Sequence, residues 1–308
     1  MSARLFLSSG DVIADRRFDF ARDLQLRGDL FAAAELMEQA VELAPNFASA
    51  WFALGELRQE LNQHDAAISA YRRACATDPD DRHGARLRLI RLGAEPLAEM
   101  SPGYVKALFD QYAPKFETAL RGDLSYRGPE ILQRAVIAAR HAAQEPATFR
   151  HALDLGCGTG LAAGVFAAMV ERIDGFDLSP RMLTQARATG RYTRLVEADM
   201  VAALRGEPDG SADLVLAADA MVYLGDLAPL CREVARVLAS GGLFAFTVEA
   251  HDGEGVSLGA TLRYAHSESY QRAVIAAAGL TLRDVSQASI RTDGGVPVPG
   301  YVAVAEKP

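Results

Sequence analysis

Residues 151–160, HALDLGCGTG, constrain this chain more than any other stretch. An apolar run ends in glycines at alternate positions, Gly156, Gly158 and Gly160, and the alanine-rich LAAGVFAAMV follows at once. The run predicts a short buried strand. The glycines let the backbone turn sharply and approach a ligand without a Cβ clash. The helix that follows turns its free N–H groups toward the same place. The spacing is G-x-G-x-G, with Leu161 where the dinucleotide fingerprint G-x-G-x-x-G needs its last glycine. Asp154 lies inside the strand end, two residues before Gly156. A carboxylate there does not suit a pyrophosphate. It suits a ligand bearing an ammonium group, such as an amino-acid tail, held through water or the loop backbone.

The segments that follow repeat the alternation. RIDGFD ends at Asp177, 21 residues after Gly156, the interval of one strand–helix–strand step. A carboxylate at that strand end can accept from both hydroxyls of a ribose, with Leu178 beside it. It can also cap the next helix, but Ser179-Pro180 already supplies that start. TRLVE leads to Asp199 and Met200, suited to an adenine amino group and ring face; Asp199 can alternatively cap a turn. ADLVLAADAMVYL ends near Asp219, and GLFAFTVEA reads as a fifth strand after a helix expected to end at Gly241-Gly242. Alternating strands and helices predict a parallel sheet wrapped on both faces, with ligands at its carboxyl edge. Asp154, Asp177, Asp199 and Asp219 all fall at such strand ends.

A second pattern lies before residue 94. Pro45 and Pro79 stand 34 residues apart, and at the same offset Ala33 matches Ala67, Met37 matches Tyr71 and Ala40 matches Ala74. Small residues let paired helices approach, larger ones fill between turns, and each proline stops a helix. Trp51, Leu54 and Gly55 open the second unit. This period and pattern resemble the tetratricopeptide repeat, with units at about 14–47 and 48–81 and a capping helix at 82–93. The first unit is degenerate: Phe20 and Ala21 stand in place of Leu54 and Gly55, and Arg17 in place of Trp51. Two uses stay open, a docking groove for a protein partner or a second copy, and a helical buttress.

AEPLAEMSPG, residues 94–103, breaks the periodicity and reads as a linker. From 104 onward Tyr104, Leu108, Tyr112 and Phe116 recur every four residues, interrupted by Pro114. This aromatic stripe suits core packing, or a lid segment over 104–148 in which Tyr112 faces a bound cation. The second domain is thus expected over 104–308.

Net charge of −8 disfavours a nucleic-acid duplex or an anionic membrane as the main partner, since both need a positive field. Cys75, Cys157 and Cys231 are far apart and show no metal-ligand spacing, so no metal is expected. The polar MSARLFLSSG is not a secretory leader, and no apolar run approaches the ~18 residues of a membrane span. These features predict a cytoplasmic protein.

LDLGCGTG, GFDLS, EADM and VLASGGLFAF resemble the motif series of class I S-adenosylmethionine-dependent methyltransferases over about 150–305. LFDQYAPKFE, YLGDL, RYAHS and PVPGYVAVAE are similar to a subgroup of predicted methyltransferases with an N-terminal tetratricopeptide region. The resemblance implies an α/β fold, a Rossmann-like sheet of seven strands with the last antiparallel, behind an all-α repeat domain. It implies that Asp154 and the loop glycines hold the methionine part of S-adenosylmethionine, Asp177 the ribose, and Asp199 with Met200 the adenine. TLRDVSQASI and PGYVAVAE would be the last two strands, joined through TDGGVPV. Asp219 would lie nearest the methyl group, but no D/N-P-P-Y/F motif is present, so amide or amine methylation gains no support. Acceptor-side candidates are Tyr223, Glu249, His251, Tyr264 and His266. Tyr264 and His266 are the expected catalytic residues, with His266 able to deprotonate an acceptor hydroxyl, although a capping histidine fits too. The expected activity is methylation of a small-molecule acceptor. The alternatives are a cofactor-binding adaptor, a protein methyltransferase whose repeats dock its substrate, and a nucleotide-dependent reductase.

Overall fold

The computed structural model describes residues 5–115 and 126–308. The chain divides into two compact units, residues 1–111 and 112–308. In the first, α1 (Val12–Leu26) pairs with α2 (Leu30–Leu43), and α3 (Ala48–Glu60) with α4 (His64–Thr77); α5 (Ala85–Arg91) follows. Asp11 caps α1 by accepting from the N–H groups of Ile13 and Ala14, and Asp29 caps α2 through Ala32. Pro45 and Pro79 each follow a helix end by two residues, as their missing N–H requires. Ala33, Ala40, Ala67 and Ala74 are all buried.

The repeat positions work in pairs. A Cβ on Gly55 would sit 2.5 Å from the Tyr71 ring, which is wholly buried. One period earlier Ala21 stands for Gly55 and the slimmer Met37 for Tyr71, and both are fully buried. Glycine is therefore required where the partner is aromatic and dispensable where it is not. Trp51 ties the second repeat to the first by donating from Nε1 to the Pro45 carbonyl at 2.8 Å. The start of α6 (Pro102–Tyr112) packs on the same unit: Ser101 Oγ donates to the Asp80 carbonyl, and a Cβ on Gly103 would meet that oxygen at 2.5 Å. Phe116, the last member of the expected stripe, lies outside the described residues.

In the second unit α7 (Gly128–Ala142) precedes a regular alternation: β1 (Phe149–Leu155), α8 (Leu161–Phe166), β2 (Val170–Asp177), α9 (Pro180–Ala188), β3 (Arg194–Glu197), α10 (Met200–Arg205), β4 (Ala212–Ala217), α11 (Ala228–Val237) and β5 (Leu238–Glu249). Then come β6 (Val256–Leu258), β7 (Tyr264–His266), α12 (Glu268–Ala277), β8 (Thr281–Gln287), the small hairpin β9 (Thr292–Asp293) with β10 (Val296–Pro297), and β11 (Gly300–Glu306). The sheet order is β3-β2-β1-β4-β5-β11-β8. The first five strands are parallel, and β11 is antiparallel to both its neighbours. This is the expected Rossmann-like sheet with its antiparallel last strand.

Both faces are covered, which is why β1, β4 and β5 are apolar almost throughout. Leu153, Leu155, Val215, Phe244 and Phe246 pack with α11 and α12 on one face. Ala152, Leu214, Leu216 and Ala245 pack with α7 and α8 on the other. Two features depart from expectation. Gly241 and Gly242 do not cap α11; they lie inside β5, where the register against β4 shifts between Ala212 and Leu214 and Gly241 takes φ +75. The bulge bonds Gly241 N–H to the Lys307 carbonyl at 2.8 Å. The stretch around RYAHS forms a strand, β7, which extends the sheet by pairing Ala265 in parallel with Glu249 and pairing antiparallel with β6.

Candidate functional site

The glycine turn leaves β1 at the carboxyl edge. Gly156, Gly158 and Gly160 all have positive φ, at +66, +53 and +92. Side-chain-bearing residues disfavour that region. A Cβ on Gly156 would lie 2.6 Å from the Ala220 Cβ, so the turn is pressed against the segment leaving β4. Gly158 N–H donates to Asp177 Oδ2 at 2.9 Å, which locks the loop to the end of β2. Thr159, 1% exposed, has no hydrogen-bond partner for its hydroxyl among the described residues. A buried, unpaired donor on this loop is a group that calls for a ligand atom.

Strand alternation sends Asp154, with Ala152, and Asp177, with Ile173 and Gly175, to one face of two adjacent strands. Asp154 is 1% exposed and accepts from the Tyr192 hydroxyl at 2.6 Å. Burial pushes its carboxyl up to about 7, against the opposing pull of that hydrogen bond, with the nearby Asp177 charge adding to the rise. Asp177 is buried and accepts from the Gly158 and Ser179 N–H groups, one on each oxygen. Ser179 itself caps α9 through Met182 N–H, so both functions anticipated for this turn are present in different residues. Leu178 is half-buried beside it. Asp199 caps α10 through one oxygen, Oδ1, accepting from Val201 and Ala202. Met200 follows, half-buried against the core. Tyr112 is exposed, and the adjoining Ala113 carbonyl accepts from Gln185 of α9 at 2.5 Å.

Tyr192 escaped the sequence reading. Its ring lies where Cβ atoms on Gly160 and Gly175 would fall, at 3.0 and 2.7 Å, and its hydroxyl reaches Asp154. The signal was Gly175 itself, since a glycine inside a strand marks close approach.

On the other side of the turn, Asp219 has φ +54 and donates its N–H to Thr247 Oγ1 at 2.8 Å. Its carboxylate belongs to a four-charge cluster. Arg263 Nη1 lies 3.3 Å from Asp219 and 3.5 Å from Glu249, and Arg291 bonds Glu249 through Nη2. Arg291 is 5% exposed, and its Nε has no hydrogen-bond partner among the described residues. Arg263 stacks over the Tyr223 ring at 5.5 Å. Tyr126 sits within electrostatic reach of both Asp154 and Asp219, and burial holds its hydroxyl proton far above the ordinary range. Gly128 gives it room: a Cβ there would meet the Tyr126 oxygen at 2.5 Å. Neither arginine was among the sequence candidates. Carboxylates brought together at strand ends need counter-charges, but only the fold shows which cations answer.

The expected catalytic pair has no surface. Tyr264 and His266 are both fully buried in β7. His266 Nε2 lies 2.9 Å from the Leu224 carbonyl, its ring stacks on Tyr270 at 5.7 Å, and burial lowers its basicity to about 4. Tyr270 accepts from Leu227 N–H and donates to Asp226. Together they brace the turn at 224–227. His251 closes its own turn, bonded to the Gly255 carbonyl and the Gly253 N–H.

Residues 153–246 match the methyltransferase domain family, and residues 48–92 match a tetratricopeptide repeat family. The chain carries a class I methyltransferase domain C-terminal to a tetratricopeptide region. The cofactor of that domain class is S-adenosylmethionine. The methyltransferase domain is similar to human methyltransferase-like protein 27, at 33% identity over 46% of this chain and 57% of that protein. It is also similar to aklanonic acid methyltransferase DauC of Streptomyces sp., at 34% identity over 33% of this chain and 50% of that one. The chain spans about half the length of these curated relatives. Among solved structures, the [4+2]-cyclase SpnF superposes with a TM-score of 0.53 at 20% identity, covering 69% of this chain and 98% of that one. That likeness concerns the fold alone, and a cyclase on this fold underlines that chemistry resides in the site. No helix of the described residues is long and apolar enough to cross a membrane.

Proposed function

We propose that this protein transfers the methyl group of S-adenosylmethionine to a small-molecule acceptor. The observation that carries the reading is the meeting of Asp154, Asp177 and three left-handed glycines on one face of adjacent strand ends, beside an unpartnered Thr159 hydroxyl. These residues fit the cofactor: a buried carboxylate for its ammonium, a second for its ribose, and bare backbone for close approach. S-adenosylmethionine supplies an electrophilic methyl group when bound. The protein's contribution is then to orient an acceptor and exclude water. Asp199 and Met200 are assigned to the adenine and Tyr112 to the lid, with domain limits of 14–93, 94–103 and 104–308.

The acceptor wall is assigned to Tyr126, Tyr223 and Arg263. Arg263 touches both carboxylates through a single nitrogen at 3.3–3.5 Å, long for a charge-assisted bond. This favours an acceptor whose anionic group completes the pairing, in keeping with the acid named for the Streptomyces relative. Tyr264 and His266 are assigned a positioning role beneath that wall, because a fully buried imidazole with one nitrogen on a carbonyl cannot meet an acceptor. The repeats are assigned to protein interaction. The adaptor reading is less favoured, since the acceptor side is lined by polar and charged groups.

Calorimetry tests the cofactor assignment. S-adenosylhomocysteine is expected to bind at micromolar concentration, and Asp177→Ala to weaken it. Unchanged affinity in that variant, or tighter binding of a nicotinamide dinucleotide, would reject the reading.

A further inference from the structure

Asp15, Ser49 and His83 stand 34 residues apart in turn, so each occupies the same position of the period. All three bond one short segment, residues 5–9, which precedes α1. Asp15 Oδ1 accepts from the Ser9 N–H at 2.9 Å. Ser49 Oγ accepts from the Leu7 N–H at 2.8 Å and donates to the Leu7 carbonyl at 3.2 Å. The His83 imidazole hydrogen-bonds the Leu5 backbone. The repeated position thus meets every second residue of the segment, 83 with 5, 49 with 7 and 15 with 9. Leu5, Leu7 and Ser9 are half-buried, while Phe6, Ser8 and Gly10 are exposed. Both alternations are those of an extended chain, here laid across the two repeats and the start of α5.

A row of side chains that reads main-chain groups at a fixed spacing has the character of a peptide-binding surface. With the segment in place Ser49 and His83 are both more than nine-tenths buried. Groups so buried need partners, and the segment supplies them as N–H and C=O groups two residues apart. Its hold through Leu5 and Leu7 is therefore a property of backbone, not of leucine. Its aromatic residue, Phe6, packs 5.2 Å from Phe18 and 5.9 Å from Phe47, yet stays 43% exposed. An occupant read through its backbone and anchored by a half-covered ring is exchangeable for another of the same shape.

We propose that residues 5–9 are a built-in ligand that holds the repeat surface closed, and that a partner protein docks by exchanging an extended segment of its own for it. The segment that fits carries an aromatic residue followed at once by one with a free N–H and C=O, as in Phe6-Leu7. Tethering gives the built-in copy an effective concentration on the order of millimolar. A competing segment with an intrinsic dissociation constant of about a hundred micromolar then binds about tenfold more weakly than it does to the opened surface.

Fluorescence anisotropy with the full chain decides this, using a fluorescein-labelled synthetic peptide of sequence RLFLSSG. Leu7→Pro removes the donor to Ser49 and Phe6→Ala removes the anchor, so the chain carrying both is opened. The opened chain is expected to bind the peptide at about a hundred micromolar or below, and the wild type about tenfold more weakly. A peptide N-methylated at the leucine after phenylalanine lacks the N–H and should lose that binding, as should Ser49→Ala in the opened chain. Equal affinity of the wild type and the opened chain, binding to neither, or unchanged binding of the methylated peptide would each overturn the proposal. So would an opened chain whose repeat unit no longer melts cooperatively, since the segment would then belong to the core. A wild-type dimer that falls to monomer in the opened chain would place the segment on a second copy and overturn its intramolecular role.

Discussion

The two units use buried polar groups differently. In the repeat unit Ser49, Asp78 and His83 are buried together, with Ser49 Oγ 3.1 Å from His83 Nε2 and Asp78 3.8 Å from Nδ1. Ser49 also bonds Leu7 on both sides of that residue's backbone, and Asp78 accepts from Arg82. The polar groups lock a corner of helices, and burial holds His83 neutral, at about 4. In the methyltransferase unit the carboxylates Asp154, Asp177, Asp219 and Glu249 gather at one edge of the sheet, and among the described residues Asp154 has a tyrosine hydroxyl as its hydrogen-bond partner. A buried carboxyl without a cation is costly to ionise. The repeat unit satisfies the Ser49–His83–Asp78 cluster internally; the other unit leaves the Thr159 hydroxyl to be completed by a ligand.

The sharpest way to break this contrast is to put a methyl group on one glycine in each unit. Gly156→Ala strains a backbone at φ +66 and collides with Ala220. It should weaken S-adenosylhomocysteine binding by at least about a hundredfold in calorimetry. Gly55→Ala collides with Tyr71 and should cost about 1–3 kcal/mol of repeat stability in thermal unfolding, leaving ligand affinity unchanged. Adding Tyr71→Met copies the Ala21–Met37 pairing of the first unit and should restore most of that loss. Failure of the rescue would mean that the pairing does not govern the packing.

Asp177→Ala should weaken the same ligand roughly tenfold to a hundredfold, the range for charge-assisted hydrogen bonds. Part of that loss will come through the loop, since Asp177 also holds Gly158 and Ser179. Asp177→Asn keeps one acceptor and should fall between.

The pH dependence should be the gentlest effect. Because burial raises the Asp154 carboxyl, its contribution to stability is full below its unfolded value near 3.8 and is lost as pH rises through about 7. Asp154→Asn should stabilise the ligand-free protein increasingly as pH rises from 3.8 to about 7, and should do little below that window. A ligand ammonium favours the ionised form, so wild-type binding should strengthen with pH up to about 7 and release protons, measurable as a dependence of binding heat on buffer. Asp154→Asn should abolish that proton release. His83, lowered by burial, works the other way: its contribution is present above the ordinary histidine range and is lost as pH falls through about 4. Acid should therefore loosen the repeat unit while basic conditions tax the other.

What could be read directly was what is local and periodic. The 34-residue spacing, the glycine turn and the acidic strand ends are imposed by backbone geometry: prolines end helices, glycines permit left-handed turns, and parallel strands buried on both faces must be apolar. Folding decided what depends on residues distant in the chain. Tyr192 reaches Asp154 across 38 residues, Arg263 reaches Asp219 across 44, and Arg291 reaches Glu249 across 42. His266 looked available in a polar stretch and became a buried brace, because RYAHS extends the sheet beside Glu249. No periodicity encodes such meetings; strand order and register bring them about, and these follow from which apolar faces pack together.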